Sequence, residues 1–503
     1  MRALQNKSAL FDRGGARILA LAAEYKLPLI TGFVFGLAAN LYAFTNKFVN
    51  MDELEYLFSK GATLSSGRWA LALTSCVFPD VSMPWIYGVI AVMILTVSAC
   101  VIIRTFEIKG RILQCVLAGL IVSFPVQAMT FAYMFTCVPY AIAVLLVSIA
   151  VYNYSRGGKY GWIVSSVLLT LALGIYQAYI SLAVSLFLVY IIKRTLDGDM
   201  SWQRLIRHGL GCIGVLLTAA VLYFAVNKAV MLVTNTEYNS YASSAVRPNI
   251  NFGLQAANAM FKAAVNAQFL SFVPTEFSSF VHKLLILLAV TELAVQCVLC
   301  NDWEKRIIIA VLVLIFPIAI NCLLVVAPIP HPLEYFSFFS VYVLAAVATD
   351  KFRLPAAVYV NDIAAVLLAL ILLDSVVFSN AIFLKQRLLY EQAAGFYSGV
   401  ISRIRMQDDY DENDTIVLVG SSADGYSGIP EIDTEELPGI RNDMINVYSK
   451  DDLIRCYLGV DAEIRQLTGN EDDELARASA SMPIYPYDGS VKCIGDFVVV
   501  KLG

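Results

Sequence analysis

The sequence predicts an all-α polytopic membrane domain followed by a small C-terminal α/β domain in water. Three observations predict it. First, 58% of the 503 residues are hydrophobic and only 15% are charged, against about 25% charged in a soluble globular protein. Mean hydropathy is +0.68. Second, the apolar residues fall in runs near the roughly 20 residues that cross a bilayer as a helix. Third, charge is unevenly placed: residues 384–503 hold 22 acidic and 11 basic residues, a net −11, and the rest carries +7. This excludes a soluble enzyme, a disordered chain and a small disulfide scaffold. The acidic tail argues against nucleic acid as a partner.

Eleven spans are read, near 27–46, 84–103, 112–130, 138–153, 161–175, 177–192, 209–231, 283–300, 307–328, 333–349 and 356–379. Flanking positive charge orients them. Arg2, Lys7, Arg13, Arg17 and Lys26 place the N-terminus in the cytoplasm. Every second loop is then basic: Arg104, Lys109 and Arg111; Arg156 and Lys159; Lys193, Arg194, Arg204 and Arg207; Lys305 and Arg306; Lys351 and Arg353. An odd number of spans leaves the C-terminus outside. The segments are a cytoplasmic stretch 1–26, a transmembrane domain 27–383 and an extracytoplasmic soluble domain 384–503. The first apolar run is read as a retained helix, because no small-residue cleavage pattern follows it.

Residues 161–192 are short for two crossings, yet basic loops flank both ends. A break at Gly174-Ile175-Tyr176-Gln177-Ala178-Tyr179 divides them into two short helices, with one long tilted helix as the alternative. Polar backbone at that depth requires cover from protein or a water-filled cavity. In the tail, 415–420 and 496–502 read as buried strands, and 383–405 and 451–458 as amphipathic helices. Eight of the ten cysteines lie in or beside apolar runs and act as small hydrophobes. Cys456 and Cys493 are the two in the tail, and a disulfide between them is possible in an oxidising compartment. No cysteine pattern makes a zinc site.

The chemistry gathers on the outer face. Asn50-Met51-Asp52-Glu53-Leu54-Glu55-Tyr56 puts three carboxylates just past the first span. In a helix Asp52 and Glu55 share a face, while Glu53 points elsewhere. Such acids act as a general base or bind a divalent cation such as Mg or Mn through oxygen; the bland reading is a solvated loop. Gly67-Arg68-Trp69 follows. Arg68 suits a phosphate held bidentately, against an interfacial anchor with Trp69 among the headgroups. Tyr133, Tyr176, Gln177 and Tyr179 supply aromatic and amide groups for sugar stacking and hydroxyl hydrogen bonds, although interfacial tyrosines are common. His331 contacts a phosphate, tunes a base, or is structural. Glu334 has Arg68 and Arg247 as possible partners. Glu292 and Asp374 are the main charges deep within spans, where an ionisable residue defaults to function. They form no connected set for ion coupling.

Asp52-Glu53, Gly67-Arg68-Trp69, Leu173 to Tyr179, and the ending Met482-Pro483-Ile484-Tyr485-Pro486-Tyr487-Asp488-Gly489-Ser490 through Val498 to Leu502 together resemble the bacterial O-antigen glucosyltransferases of the serotype-converting Gtr type II kind. The resemblance runs over about 30–503. It implies a GT-C-like fold in the bacterial cytoplasmic membrane, an undecaprenyl-phosphate glucose donor and a cell-surface polysaccharide acceptor. It also implies transfer outside the membrane and two partners, a donor synthase and a flippase. Asp52 and Glu53 fall on the family's first-loop acids. His331-Pro332-Leu333-Glu334 lacks the basic residue expected near that helix start, which leaves the phosphate clamp open. On this reading Asp52 is the base, with Glu53 as runner-up or positioning group. Glu55 and Glu334 lie with the sugar and acceptor. Arg68 is first for the phosphate, ahead of Arg247, Lys60 and His331. The alternatives are a flippase or transporter of a lipid-linked saccharide, and a scaffold whose tail binds wall polymer.

Overall fold

A computed structural model describes residues 15–503, apart from 17–18, 60, 62, 75, 80, 199, 240–253, 266–275, 301, 326–331, 353–356, 423–428, 430–431, 433–442 and 469–473. The chain divides into two compact units. One comprises residues 1–46 and 62–380, the other residues 47–61 and 381–503. The segment 47–61, with its acids, thus packs with the C-terminal domain.

The first unit is helical. Among the described residues nine helices are long and apolar enough to cross a membrane. Two of the eleven expected spans fall short. Gly161–Ile175 has 15 residues, and Trp303–Ile320 carries Glu304, Lys305 and Arg306 at its start. The span expected at 112–130 is interrupted. Arg111–Leu120 ends, a turn follows, and Pro125–Ala132 begins with proline at its first position. Pro125 has no N–H to continue the ladder and holds Phe124 extended. The amide of buried Asn40 donates to the Val122 carbonyl in that turn at 3.0 Å, so the interrupted backbone stays satisfied. Phe124 then packs edge-on against Phe336 at 5.0 Å, inside an aromatic cluster with Phe339 and Tyr342.

The expected break after Ile175 is present. Tyr176 is extended (φ −157°, ψ 121°), a short turn spans Gln177–Tyr179, and Ile180–Leu196 continues as helix. The span expected at 356–379 and the helix expected at 383–405 are instead one helix, Ala357–Arg405, of 49 residues. Ser379-Asn380-Ala381-Ile382 offers neither Gly nor Pro to stop it.

The second unit contains a four-stranded sheet. The strands are β1 Thr415–Val419, β2 Ile464–Leu467, β3 Val491–Ile494 and β4 Phe497–Lys501, in the order β2-β1-β4-β3. β1 pairs parallel with β2 and with β4, and β3 pairs antiparallel with β4. The two central strands are apolar without alternation because both of their faces are buried. Val417, Val499, Leu467, Leu475 and Met482 form the core on one face. The C-terminal part of the long helix packs on this unit. Tyr397 donates to the Ile445 carbonyl at 2.5 Å, Phe396 meets Tyr485 edge-on at 5.3 Å, and Arg403 donates to the Pro486 carbonyl at 2.9 Å. Cys456 and Cys493 are free thiols. Cys493 lies on β3 at one edge of the sheet. Cys456 lies in the turn Leu453–Tyr457, which leads to β2 at the other edge.

Candidate active site

The acids of segment 47–61 are built on a five-residue helix, Met51–Glu55, capped by Asn50, whose side chain accepts the Glu53 N–H at 2.7 Å. This helix gives its three carboxylates three environments. Glu53 is fully buried and ion-paired with Lys47. Glu55 is exposed, and Asp52 is half-buried. The Tyr448 hydroxyl donates to Asp52 Oδ1, and the Ser449 hydroxyl donates to the Met51 carbonyl. Burial, then the hydrogen bond to Asp52 and the charges of Asp52 and Glu55, hold the Tyr448 hydroxyl far above its ordinary range. It therefore remains a donor. Asp452 is raised above the usual carboxylate range, first by burial and then by Asp451, with Glu55 adding to the effect.

Asp52 and Glu53 do not converge on a cation site. One is turned to Lys47 and buried, and the other is held by a tyrosine. Among the described residues no group of three His, Cys, Asp or Glu stands together to hold a metal ion. The pair does not fit a divalent cation.

In the first unit the break after Ile175 assembles a second group. Arg68 lies over the Tyr176 ring, 4.7 Å from its centroid, and its guanidinium is 3.4 Å from the Tyr140 hydroxyl. Tyr140 and Tyr176 stack face to face at 4.8 Å with an interplanar angle of 5°. The Tyr176 hydroxyl donates to Glu334 at 2.8 Å. Tyr176 thus joins the cation on its face to the carboxylate at its edge. Tyr179 meets both tyrosines edge-on and packs against Phe336.

Gln177 sets the Arg68 backbone. Its amide donates to the Ser66 and Gly67 carbonyls at 3.1 and 3.2 Å and to the Tyr223 hydroxyl at 2.7 Å. Tyr223 in turn donates to the Gly67 carbonyl at 3.0 Å. Gly67 has φ +71°, and a Cβ there would stand 2.8 Å from the Tyr223 hydroxyl. Gly67→Ala is expected to cost roughly 1–2 kcal/mol in left-handed backbone strain and to displace Arg68. The measurement is thermal unfolding of the purified protein, whose Tm should fall below that of the wild type.

Trp69 is no headgroup anchor. It is buried, and its ring lies against Gly174, where a Cβ would come within 2.6 Å of it. Tyr133 is buried at the end of Pro125–Ala132, beside Phe135. Glu292 accepts the Thr349 hydroxyl on both oxygens at 3.0 Å, and Asp374 accepts that of Ser278 at 2.5 Å. Lys60, Arg247 and His331 lie outside the described residues.

Thus Arg68, Tyr176, Gln177, Tyr179 and Glu334 are brought together in the first unit. Asp52, Glu53 and Glu55 stand in the second. Sequence reasoning missed Tyr140, Tyr223, Tyr448 and Ser449. Tyr140 follows a proline at a helix start, a weak cue. Nothing near Tyr448 signals a partner 396 residues away.

Comparison with known families matches residues 41–349 to the family described as Glucosyl transferase GtrII. That range contains Asp52, Arg68, Tyr176 and Glu334, and it leaves Tyr448 and the sheet domain outside. No curated protein and no solved structure matches. With the match covering more than half of its length, this apolar, multi-helix membrane protein belongs to the Glucosyl transferase GtrII family.

Proposed function

We propose that the chain is a GT-C-type glycosyltransferase with Asp52 as its general base. It moves a hexose, glucose by its family, from a polyprenyl-phosphate donor to a cell-surface polysaccharide, O-antigen or another wall polymer. The reaction takes place on the outer face of the bacterial cytoplasmic membrane. A donor synthase and a flippase supply the substrate.

The observation that carries this reading is the half-buried Asp52 carboxylate, held by Tyr448 beside a Glu53 already committed to Lys47. An acceptor hydroxyl is a poor nucleophile until its proton is taken, and a carboxylate in hydrogen-bond reach can take it. The hydroxyl oxygen then bonds to the anomeric carbon. The bond from that carbon to the phosphate oxygen breaks, and its electron pair leaves with the polyprenyl phosphate. The leaving group needs charge stabilisation rather than a proton. Arg68, fixed on the Tyr176 face, is the cation assigned to it. A single displacement inverts the anomeric centre. Glu334, at the edge of Tyr176, suits a sugar's hydroxyls.

The test supplies radiolabelled undecaprenyl-phosphate glucose and the host polysaccharide to the purified protein, with and without EDTA. Label on polymer supports the assignment. No transfer from any lipid-linked hexose, together with movement of the lipid-linked sugar across vesicles holding the protein, would establish the transporter reading instead.

A further inference from the structure

The first unit contains a cavity of about 720 Å³ whose lining holds none of the residues assigned to the proposed transfer reaction. It is lined by the ends of five helices. Pro84–Phe106, Cys137–Ser155 and Ile180–Leu196 contribute their C-terminal ends. Lys26–Thr45 and Arg111–Leu120 contribute the residues at or just before their starts. Ile180–Leu196 starts at the Tyr176 break, and its 17 residues rise about 25 Å. The cavity therefore lies at the opposite end of that helix from the Arg68–Tyr176 group, on the face that the basic loops assign to the cytoplasm.

Its lining carries five cations, Arg104, Lys109, Arg156, Lys193 and Arg194, against Glu24 and Glu107. Lys193 is occupied, paired with Glu107 at 2.6 Å and Asp197 at 3.0 Å. Arg104 lies over the Tyr152 ring at 5.7 Å, so its guanidinium is oriented. Arg104, Lys109 and Arg156 make no ion pair among the described residues. Three helix C-termini favour nearby cations; Lys109 stands two residues past the Glu107 cap of one of them, in the loop between Pro84–Phe106 and Arg111–Leu120, where its backbone N–H donates to Asp350 at 2.8 Å.

The apolar surface continues beside the charges. Leu27, Ile30 and Ile112 are exposed on the two helices that start here. Tyr25, Tyr152 and Tyr190 line the cavity at the level where aromatic rings meet headgroups. A free anion requires only the cations. A phosphate carried on acyl chains uses the cations, the tyrosines and the apolar flank together.

We propose that this cavity binds the phosphate headgroup of an anionic membrane lipid, through Arg104, Lys109 and Arg156, on the face opposite the sugar-transfer chemistry. Basic pockets between membrane helices commonly take such headgroups.

The test is native mass spectrometry of the detergent-purified full chain with phosphatidylglycerol, cardiolipin or phosphatidylcholine added. The expected result is retention of the two anionic lipids over phosphatidylcholine. Arg104→Gln with Arg156→Gln should weaken it by about 30-fold, whereas Arg104→Lys with Arg156→Lys should preserve it. If the glutamine pair does not fold, Lys109→Gln with Arg156→Gln, both at exposed positions, carries the same comparison. Equal retention of phosphatidylcholine, or unchanged binding in the folded glutamine variants, overturns the proposal. Inorganic phosphate or pyrophosphate is added in separate arms. Displacement of the lipid by either at matched concentration would assign the cavity to a soluble phosphate and would also overturn it.

Discussion

Asp52→Asn is expected to slow sugar transfer by about 10²–10⁴-fold, the usual contribution of a positioned general base, with little change in Tm. Asparagine keeps the size of the side chain and an oxygen that still accepts the Tyr448 hydroxyl. It loses the negative charge, and with it the capacity to take a proton. Glu53→Gln should behave in the opposite way. It removes a buried charge from its partner Lys47, so it should lower Tm more than it lowers the rate of the stable fraction. Tyr448→Phe completes the set. Its hydroxyl positions Asp52, so its loss should cost less than the loss of the carboxylate and should shift the pH–rate profile. The readout is kcat with Tm for each variant. A full rate in Asp52→Asn would refute the assignment. A slow chemical step in Glu53→Gln at unchanged Tm would then move the base to Glu53.

The same contacts give the C-terminal domain a physical role. Residues 47–61 pack with residues 381–503 in one unit, and Tyr448 and Ser449 hold the Met51–Glu55 helix by one side-chain and one backbone contact. A five-residue helix is far too short to be stable alone in water. The sheet domain fixes the geometry of the acids, although the family match ends at residue 349.

What could be read in advance follows from the range of each signal. Long apolar runs and the Tyr176 break are local, and both are present. β1 and β4 were visible because central strands are continuously apolar. β2 (Ile464-Arg465-Gln466-Leu467) and β3 (Val491-Lys492-Cys493-Ile494) were not, because short edge strands mix polar residues into four positions. Hydropathy divides the helix through 380 because it falls where the residues turn polar, while backbone propensity does not change there. Asp52 was visible as an acid beyond the first span, and Arg68 as a nearby cation. Their surroundings were not, because Tyr448 lies in the tail, and Tyr140 and Tyr223 lie within apolar helices where a tyrosine has no distinguishing pattern. Gln177 could be flagged as unusual, but its function as a strut for Gly67 depends on contacts 110 residues apart in the chain.

Arg68→Gln should raise KM for the lipid-phosphate donor and lower kcat, with kcat/KM falling by about 10²–10³-fold. That is the scale seen when one preorganised donor to developing negative charge is removed. The planar guanidinium stacks on Tyr176, which itself stacks on Tyr140 and hydrogen-bonds to Glu334, so the cation is held before substrate arrives. Arg68→Lys keeps the charge but loses the planar fork and the stacking, so it should recover only part of the activity. Tyr176→Phe keeps the stack and removes the link to Glu334, which separates the two uses of that ring. If the cation acts on the phosphate, Arg68→Gln suffers with the lipid-phosphate donor, and the acceptor KM stays near that of the wild type. A defect confined to the acceptor KM would place Arg68 with the polysaccharide and leave the phosphate to another cation. Unchanged kinetics would reduce Arg68 to a packing element on Tyr176. Measuring both substrates' kinetic constants in the three variants therefore tests the chemistry of this group independently of Asp52.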